Sequence, residues 1–329
     1  MTRRLRARRG VALIAALWLV VAIATVALQF SLEAHERRTM GTLASERGIE
    51  RAAAAGALAL MQARLEQALR VAPSGDNQQI AALRASDPWL DVDSTYSGPV
   101  MVDSMEVDVV AHDLGEKLNI NTLAEGDLQT FFSFLLGDYS KATDLSQAIM
   151  DWRDPDSIPR PSGAEADAYI KANMLALPTN AAFRDVSDLQ NVMGMTPDIY
   201  AKASPYFTTK GNGIVNLNTA GVPVLRTLPG MTDATLNTIL QLRSQGRRID
   251  NVNEIFQQAP RGRARPGQLN SPAAINALAN RVSVSTTSVE LTITARVTPQ
   301  SFPTTLYAIL QRPANAGANA RATITYQQW

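Results

Sequence analysis

The densest chemistry in the chain is the run Asp151-Trp152-Arg153-Asp154-Pro155-Asp156, followed by SIPRPSG and then Ala164-Glu165-Ala166-Asp167-Ala168-Tyr169. Three carboxylates within six residues repel one another unless something cationic sits among them. Two prolines in SIPRPSG stiffen the loop, and Glu165 begins a helical pattern. Oxygen donors without histidine or cysteine suit Ca²⁺ rather than zinc or copper. The spacing is not that of an EF-hand, which takes ligands at alternate positions with Gly at the sixth and Glu at the twelfth. Aspartates in such a pattern also cap helices and turns, and the residue types leave both readings open. Paired carboxylates can act as acid and base, but nothing else nearby suggests a substrate site.

Composition narrows the chemistry further. The 329 residues are 46% apolar and 19% charged, the balance of a folded chain. There is no cysteine, so disulfides, thiolate metal sites and cysteine nucleophiles are excluded. His35 and His112 leave little room for a histidine zinc site or a Ser-His-Asp triad. The formal charge of +1 hides an asymmetry: residues 1–10 carry five arginines, leaving −4 from Val11 onward. A nucleic-acid binder usually keeps a positive body, and this one is mildly acidic.

The stretch Val11 to Leu32 runs 22 residues without a formal charge. As a helix it rises ~33 Å, enough to cross a hydrocarbon core, and it exceeds the ~7–15 residues of a signal-peptide apolar core. Arginines ahead of it keep the N-terminus cytoplasmic. Strong helix formers continue with no proline until Pro73. Leu43, Ile49, Ala53, Leu60, Met61, Leu65 and Leu69 recur at the spacing of a buried stripe. One helix from about Val11 to Val71 is expected, ~90 Å long.

A basic leader, a glycine, an uncharged helix and an amphipathic continuation together resemble a type IV pilin-like precursor. The resemblance implies cleavage by prepilin peptidase between Gly10 and Val11, and N-methylation of Val11. Most of the class carries Glu at the fifth mature position; here it is Ala15. In such filaments that glutamate compensates the terminal ammonium of the subunit docked above it, in lipid where a lone charge is costly. A subunit with nothing above it has no ammonium to neutralise. The missing acid resembles GspK-type minor pseudopilins of the type II secretion system.

The middle of the chain resembles the same subfamily. Residues 73–99, with Pro73, Ser74, Gly75 and Asp76, read as a connection. Val100 to Asp113 read as one alternating strand. Strand character then disappears until about Arg281. Between them, Asn119-Ile120-Asn121-Thr122 is echoed 97 residues later by Asn216-Leu217-Asn218-Thr219, and each threonine reads as the N-cap of a helix. Residues 213–256 are similar to helix-hairpin-helix modules, with Leu228-Pro229-Gly230-Met231 as the hairpin and a related one at Val192-Met193-Gly194-Met195. Phosphate binding there would want a second glycine, where Thr232 and Asp233 stand instead. Trp152 and Leu128, Phe131, Phe132, Phe134, Leu135 and Leu136 read as core. The basic run Arg261 to Gly267 reads as a solvated excursion. From Arg281 onward alternation returns, strongest from Val289 to Val297, then at Leu306 to Leu310 and Ala322 to Trp329, with PANAGANA (313–320) as a loop.

The implied architecture is α+β. A pilin-like N-terminal helix packs on an antiparallel sheet, interrupted by an all-α block of helix-hairpin-helix or SAM-like repeats. Its divisions are a leader at 1–10, the helix at 11–72 (11–32 transmembrane), a β domain from 73–113 and 280–329, and an insertion at 114–279. The family binds calcium at the acidic loop, which carries over Asp151, Asp154, Asp156 and Glu165 as ligands, with Asp167 and Asn180 as further candidates. The resemblance implies a non-enzymatic subunit of the bacterial inner membrane with a periplasmic body. It would join the pseudopilus tip with GspI-type and GspJ-type partners, and no nucleic acid is expected. A membrane-anchored DNA-binding module using the Gly230 hairpin, or an exported enzyme behind a signal peptide, are the competing readings.

Overall fold

The computed structural model describes residues 4–69, 87, 89–258, 272–299, 301–313 and 321–329. Residues 73–76, the run 261–267 and all of PANAGANA but Pro313 lie outside them. A single helix, α1, spans Arg4–Leu69, 66 residues, with its first turns inside the basic segment. From Leu13 to Leu32 its side chains are exposed. The Thr25 hydroxyl donates to the Val21 carbonyl at 2.7 Å, so this one hydroxyl is satisfied by its own helix.

Only the second half of α1 meets the rest of the fold. Two strands of the sheet precede the insertion and three follow it: β1 (Gly98–Val102), β2 (Met105–Asp113), β7 (Ser288–Ala295), β8 (Thr304–Gln311) and β9 (Thr323–Gln328). They form an antiparallel sheet in the order β1-β2-β7-β8-β9. Alternate residues such as Val107, Val109, Leu291, Ile293 and Leu306 face α1, where Ala53, Ala54, Ala57, Met61 and Leu65 are buried against them. Small residues on the helix bring the two layers close. A Cβ at Gly56 would lie 2.8 Å from a Val102 methyl. Leu43 and Ile49, expected in the buried stripe, are half-exposed, because the sheet reaches down the helix only to about Glu50. There the buried Glu50 carboxylate accepts from the Val297 amide at 3.1 Å and the Thr304 hydroxyl at 2.7 Å. At the other end Glu66 accepts from the Ala322 amide at 3.1 Å.

Three local expectations are corrected. The strand expected from Val100 to Asp113 is a hairpin, broken at Asp103, whose φ of 51° turns the chain. Within the presumed connection, helix α2 (Val92–Tyr96) forms beside Trp89, which is fully buried and donates from Nε1 to the Leu65 carbonyl at 3.1 Å. The strand character at Val282 belongs to the insertion and not to the large sheet.

The insertion leaves the sheet after Asp113, whose cross-strand neighbour is Val289. It is built twice over. In the first unit, β3 (Leu118–Asn119) precedes α3 (Glu125–Leu136) and α4 (Tyr139–Arg153). Next come α5 (Ala166–Lys171), α6 (Pro197–Ala203) and β4 (Phe207–Thr208), which pairs parallel with β3. In the second, β5 (Val215–Asn216) precedes α7 (Val222–Arg226), α8 (Asp233–Ser244), α9 (Val252–Gln258) and α10 (Pro272–Ala279). Strand β6 (Val282–Ser283) then pairs parallel with β5. The echoed motifs do the same work in both. Asn121 exchanges bonds with the main chain of Phe183, and Asn218 with that of Ile249. Thr122 and Thr219 are not N-caps. Helix α3 is capped at Ala124 and α7 at Gly221, two residues further on, because the motif first closes a turn of its own.

One bond set fastens insertion to sheet. The buried Asp113 carboxylate accepts from the Gly115 amide at 2.8 Å, Asn216 Nδ2 at 2.7 Å and the Thr219 hydroxyl at 2.8 Å. Burial pushes its pKa up, against those three donors. A native group that holds its proton more tightly than the unfolded one contributes stability at low pH that is lost as pH rises through the elevated value. Asp113→Ala is expected to cost about 3 kcal/mol by leaving the donors unpaired. Asp113→Asn is expected to remove a decline in melting temperature that the parent shows as pH rises from about 4. Thermal unfolding across pH checks both.

Candidate metal centre

The acidic loop belongs to the first unit. Arg153, the last residue of α4, donates from its guanidinium to the carbonyls of Ile120 and Leu123. That clamp fixes where α4 ends, with Asp151 in its last turn and Asp154 as the residue closing it. Arg243 repeats the clamp in the second unit on the carbonyls of Leu217 and Ala220, at 2.9 Å from Nε and 2.7 Å from Nη1. Burial lowers the pKa of both arginines, that of Arg243 to about 10. Beyond Asp154 the chain turns at Arg160 to Gly163 and enters α5, with Glu165 at its N-cap.

Asp151, Asp154 and Glu165 converge: one oxygen from each lies within 4.8 Å of the others. Asp151 is 0% and Glu165 7% exposed. Arg160 also enters the cluster, its Nη1 2.5 Å from both Asp151 Oδ1 and Asp154 Oδ2. Its main-chain amide donates to Asp151 Oδ2 at 3.1 Å, and its Nε stands 3.4 Å from Glu125. Asp154 Oδ1 and Glu165 Oε1 are buried and accept from no donor among the described residues. Burial, then the charges of Asp151, Asp154 and Asp156, raise the pKa of Glu165. Gly163 leaves the room that Asp151 fills, since a Cβ there would lie 1.9 Å from Asp151 Oδ2. Beneath, Trp152 stacks on Phe183 at 6.2 Å and packs on Tyr169 at 5.8 Å. The Tyr169 hydroxyl accepts from the Met193 amide, while burial raises its pKa to about 12.

The other candidates stand outside this convergence. Asp156 is exposed and its carboxylate accepts from the Ile158 amide at 2.9 Å, the capping role aspartates take in turns. Asn180 donates to the Asp156 carbonyl and to Ser157 Oγ, tying the loop to the following segment. Asp167 is exposed on the first turn of α5. Gly10, Val11 and Ala15 all lie within α1, with Ala15 exposed. Sequence reasoning overlooked Arg160, though a lone cation between two prolines just after three carboxylates was a visible signal. The hairpins occur where expected, with Gly194 and Gly230 at φ of 84° and 71°. Arg226 beside the second is paired with Asp233 at 2.8 Å and lies over Phe134, so it is not presented to a phosphate.

Comparison with known proteins follows this geometry. Residues 116–210, the first unit with its acidic loop, match the family described as type II secretion system (T2SS), protein K. Protein K of Dickeya chrysanthemi is 30% identical over 123 residues, 37% of this chain and 31% of that protein. Protein K of Pectobacterium carotovorum subsp. carotovorum is 32% identical over 79 residues, 23% of this chain and 24% of the relative. The matched stretches thus span less than a third of the curated relatives. A chain of the crystal structure of the GspK-GspI-GspJ complex from enterotoxigenic Escherichia coli superposes with a TM-score of 0.61. That match covers 88% of this chain and 98% of the other at 17% identity. The chain is GspK-like in sequence and in fold. The family match falls on the unit that carries the carboxylate cluster, and the fold match covers most of the chain.

Gly163→Ala should force the buried, doubly held Asp151 carboxylate aside. A loss of roughly 2 kcal/mol or more is expected, read by chemical denaturation, and because Gly163 lies outside the left-handed region the loss reports the steric clash and not backbone strain.

Proposed function

We propose that this chain is a minor pseudopilin that caps the periplasmic pseudopilus of a type II secretion system. In this role it initiates assembly and serves export of folded periplasmic proteins, without catalysis of its own. The observation that carries the reading is the division of α1. Its apolar run stands free of the body, as a membrane-spanning segment must, and bears Ala15 where a subunit inside the row would need an acid. Below the sheet, Met40, Leu43 and Ile49 are exposed along the stem, an apolar margin suited to partner helices. GspI-type and GspJ-type pseudopilins are the proposed partners, supported by the likeness to a chain solved in a GspK-GspI-GspJ complex. Prepilin peptidase would cut between Gly10 and Val11, and methylation of Val11 would follow. Until then the helix holds the precursor in the inner membrane, N-terminus cytoplasmic and body periplasmic. The insertion, read as two helix-hairpin-helix units of SAM-like kind, supplies bulk at the far end of the stem that blocks further addition.

Calcium belongs to this proposal as a structural ion. The donors fit it: three hard carboxylates converge, two of their buried oxygens lack a donor among the described residues, and Gly163 makes room for the Asp151 carboxylate to join them. Asp151, Asp154 and Glu165 would hold the ion, which when bound neutralises the cluster. These residues then fix the end of α4 to the start of α5 and keep the loop between them in one shape.

Gold-labelled antibody to this chain is expected to mark one end of isolated pseudopili, whereas label spaced along the shaft overturns the capping role. Full-length chain in detergent should melt several degrees lower in EGTA than in calcium, because an ion bound only to the native state stabilises it. Asp154→Ala should erase the difference, and a parent that melts alike in both buffers overturns the calcium reading.

A further inference from the structure

We propose that Arg160 is a resident counter-ion of the carboxylate cluster that a divalent cation must displace, so that the loop from Asp154 to Glu165 has two closed forms, one held by arginine and one by the ion. The inference rests on the calcium reading above and concerns how that site is regulated.

Position argues for it first. Nη1 lies 2.5 Å from an oxygen of Asp151 and 2.5 Å from one of Asp154, the same two carboxylates that converge with Glu165. Calcium takes its oxygens at 2.3–2.6 Å, so ion and guanidinium claim the same volume. Charge argues next. One guanidinium faces three carboxylates, and it leaves Asp154 Oδ1 and the nine-tenths-buried Glu165 Oε1 without a donor. A divalent ion accepting six or more oxygens serves the cluster more fully than an arginine that reaches two of its members.

The arginine also has somewhere to go. Its side chain is 27% exposed, and its Nε already stands 3.4 Å from a carboxylate oxygen of Glu125, itself 41% exposed at the start of α3. Rotation about the side chain would carry the guanidinium from the cluster onto Glu125 and keep it paired. The flanking Pro159 and Pro161 restrain the main chain. The exchange is therefore a side-chain event that spares the turn at Arg160 to Gly163. In the arginine form the loop is shaped before the ion arrives, and the ion's affinity is reduced by the work of displacement.

Calorimetric titration of the full-length chain in detergent with calcium chloride tests this. Arg160→Gln is expected to bind calcium about tenfold tighter than the parent, and in EGTA to melt below the parent. Arg160→Met, equally neutral and of similar length, is expected to do the same and serves if the glutamine variant does not fold. Equal or weaker calcium binding in the neutral variants overturns the displacement, and if the parent binds normally the calcium reading survives. Absence of binding by parent and variants alike overturns both, with the failure traced to the ion.

Discussion

A guanidinium held by two main-chain carbonyls is the interaction on which the inserted block depends. Arg153 and Arg243 each bury a charge against the turn that opens their own unit. The pairing is demanding, because the arginine gives up water and receives only neutral acceptors. Carbonyls that would otherwise be orphaned at the start of the helical hairpin gain strong donors in return. The outcome is that the end of the second helix is tied to the beginning of the first. Asp151 and Asp154 inherit their positions from that tie, and the carboxylate cluster is a by-product of where α4 must stop.

The stem obeys a different constraint. Its alanines and Gly56 permit close approach to the sheet, so helix and strands meet through small contacts spread over several turns. Two buried glutamates bracket this contact. Glu50 gathers the chain between β7 and β8, and Glu66 receives the residue that leads into β9. Each carboxylate satisfies main-chain amides at places where the sheet has no strand to do so. Beyond Glu50, toward the N-terminus, the described side chains of the helix lack such company and are mostly exposed.

Much of this was legible. The uncharged run, the alternation at Val289 to Ala295, the two hairpin glycines and the paired Asn-Ile-Asn-Thr and Asn-Leu-Asn-Thr motifs all pointed to elements that exist. Each is a local pattern whose physical cause lies within a few residues. What escaped was set by distant partners. Trp89 looked like part of a polar connection, yet it fills the corner between α1 and the sheet. Thr219 looked like a helix cap, yet its hydroxyl serves Asp113, more than a hundred positions away. Arg160 read as one residue of a proline-rich loop, and only folding sets its guanidinium among the carboxylates. At the acidic run, residue types left a hard cation and turn capping both open, and did not tell which three carboxylates would meet.

The two parallel ladders within the insertion differ in one respect that bears on biogenesis. The first closes when Thr208 is made, wholly inside its own unit, while the second waits for Ser283, at the threshold of β7. Strand β2 pairs with β1 as a local hairpin, but its other edge waits for β7 across the entire insertion. A polypeptide emerging from its N-terminus therefore completes the acid-bearing unit while the landing surface for the stem is still half made. In order of synthesis the first unit has all its segments before the sheet has all its strands, so the loop with the carboxylates has its neighbours to hand early.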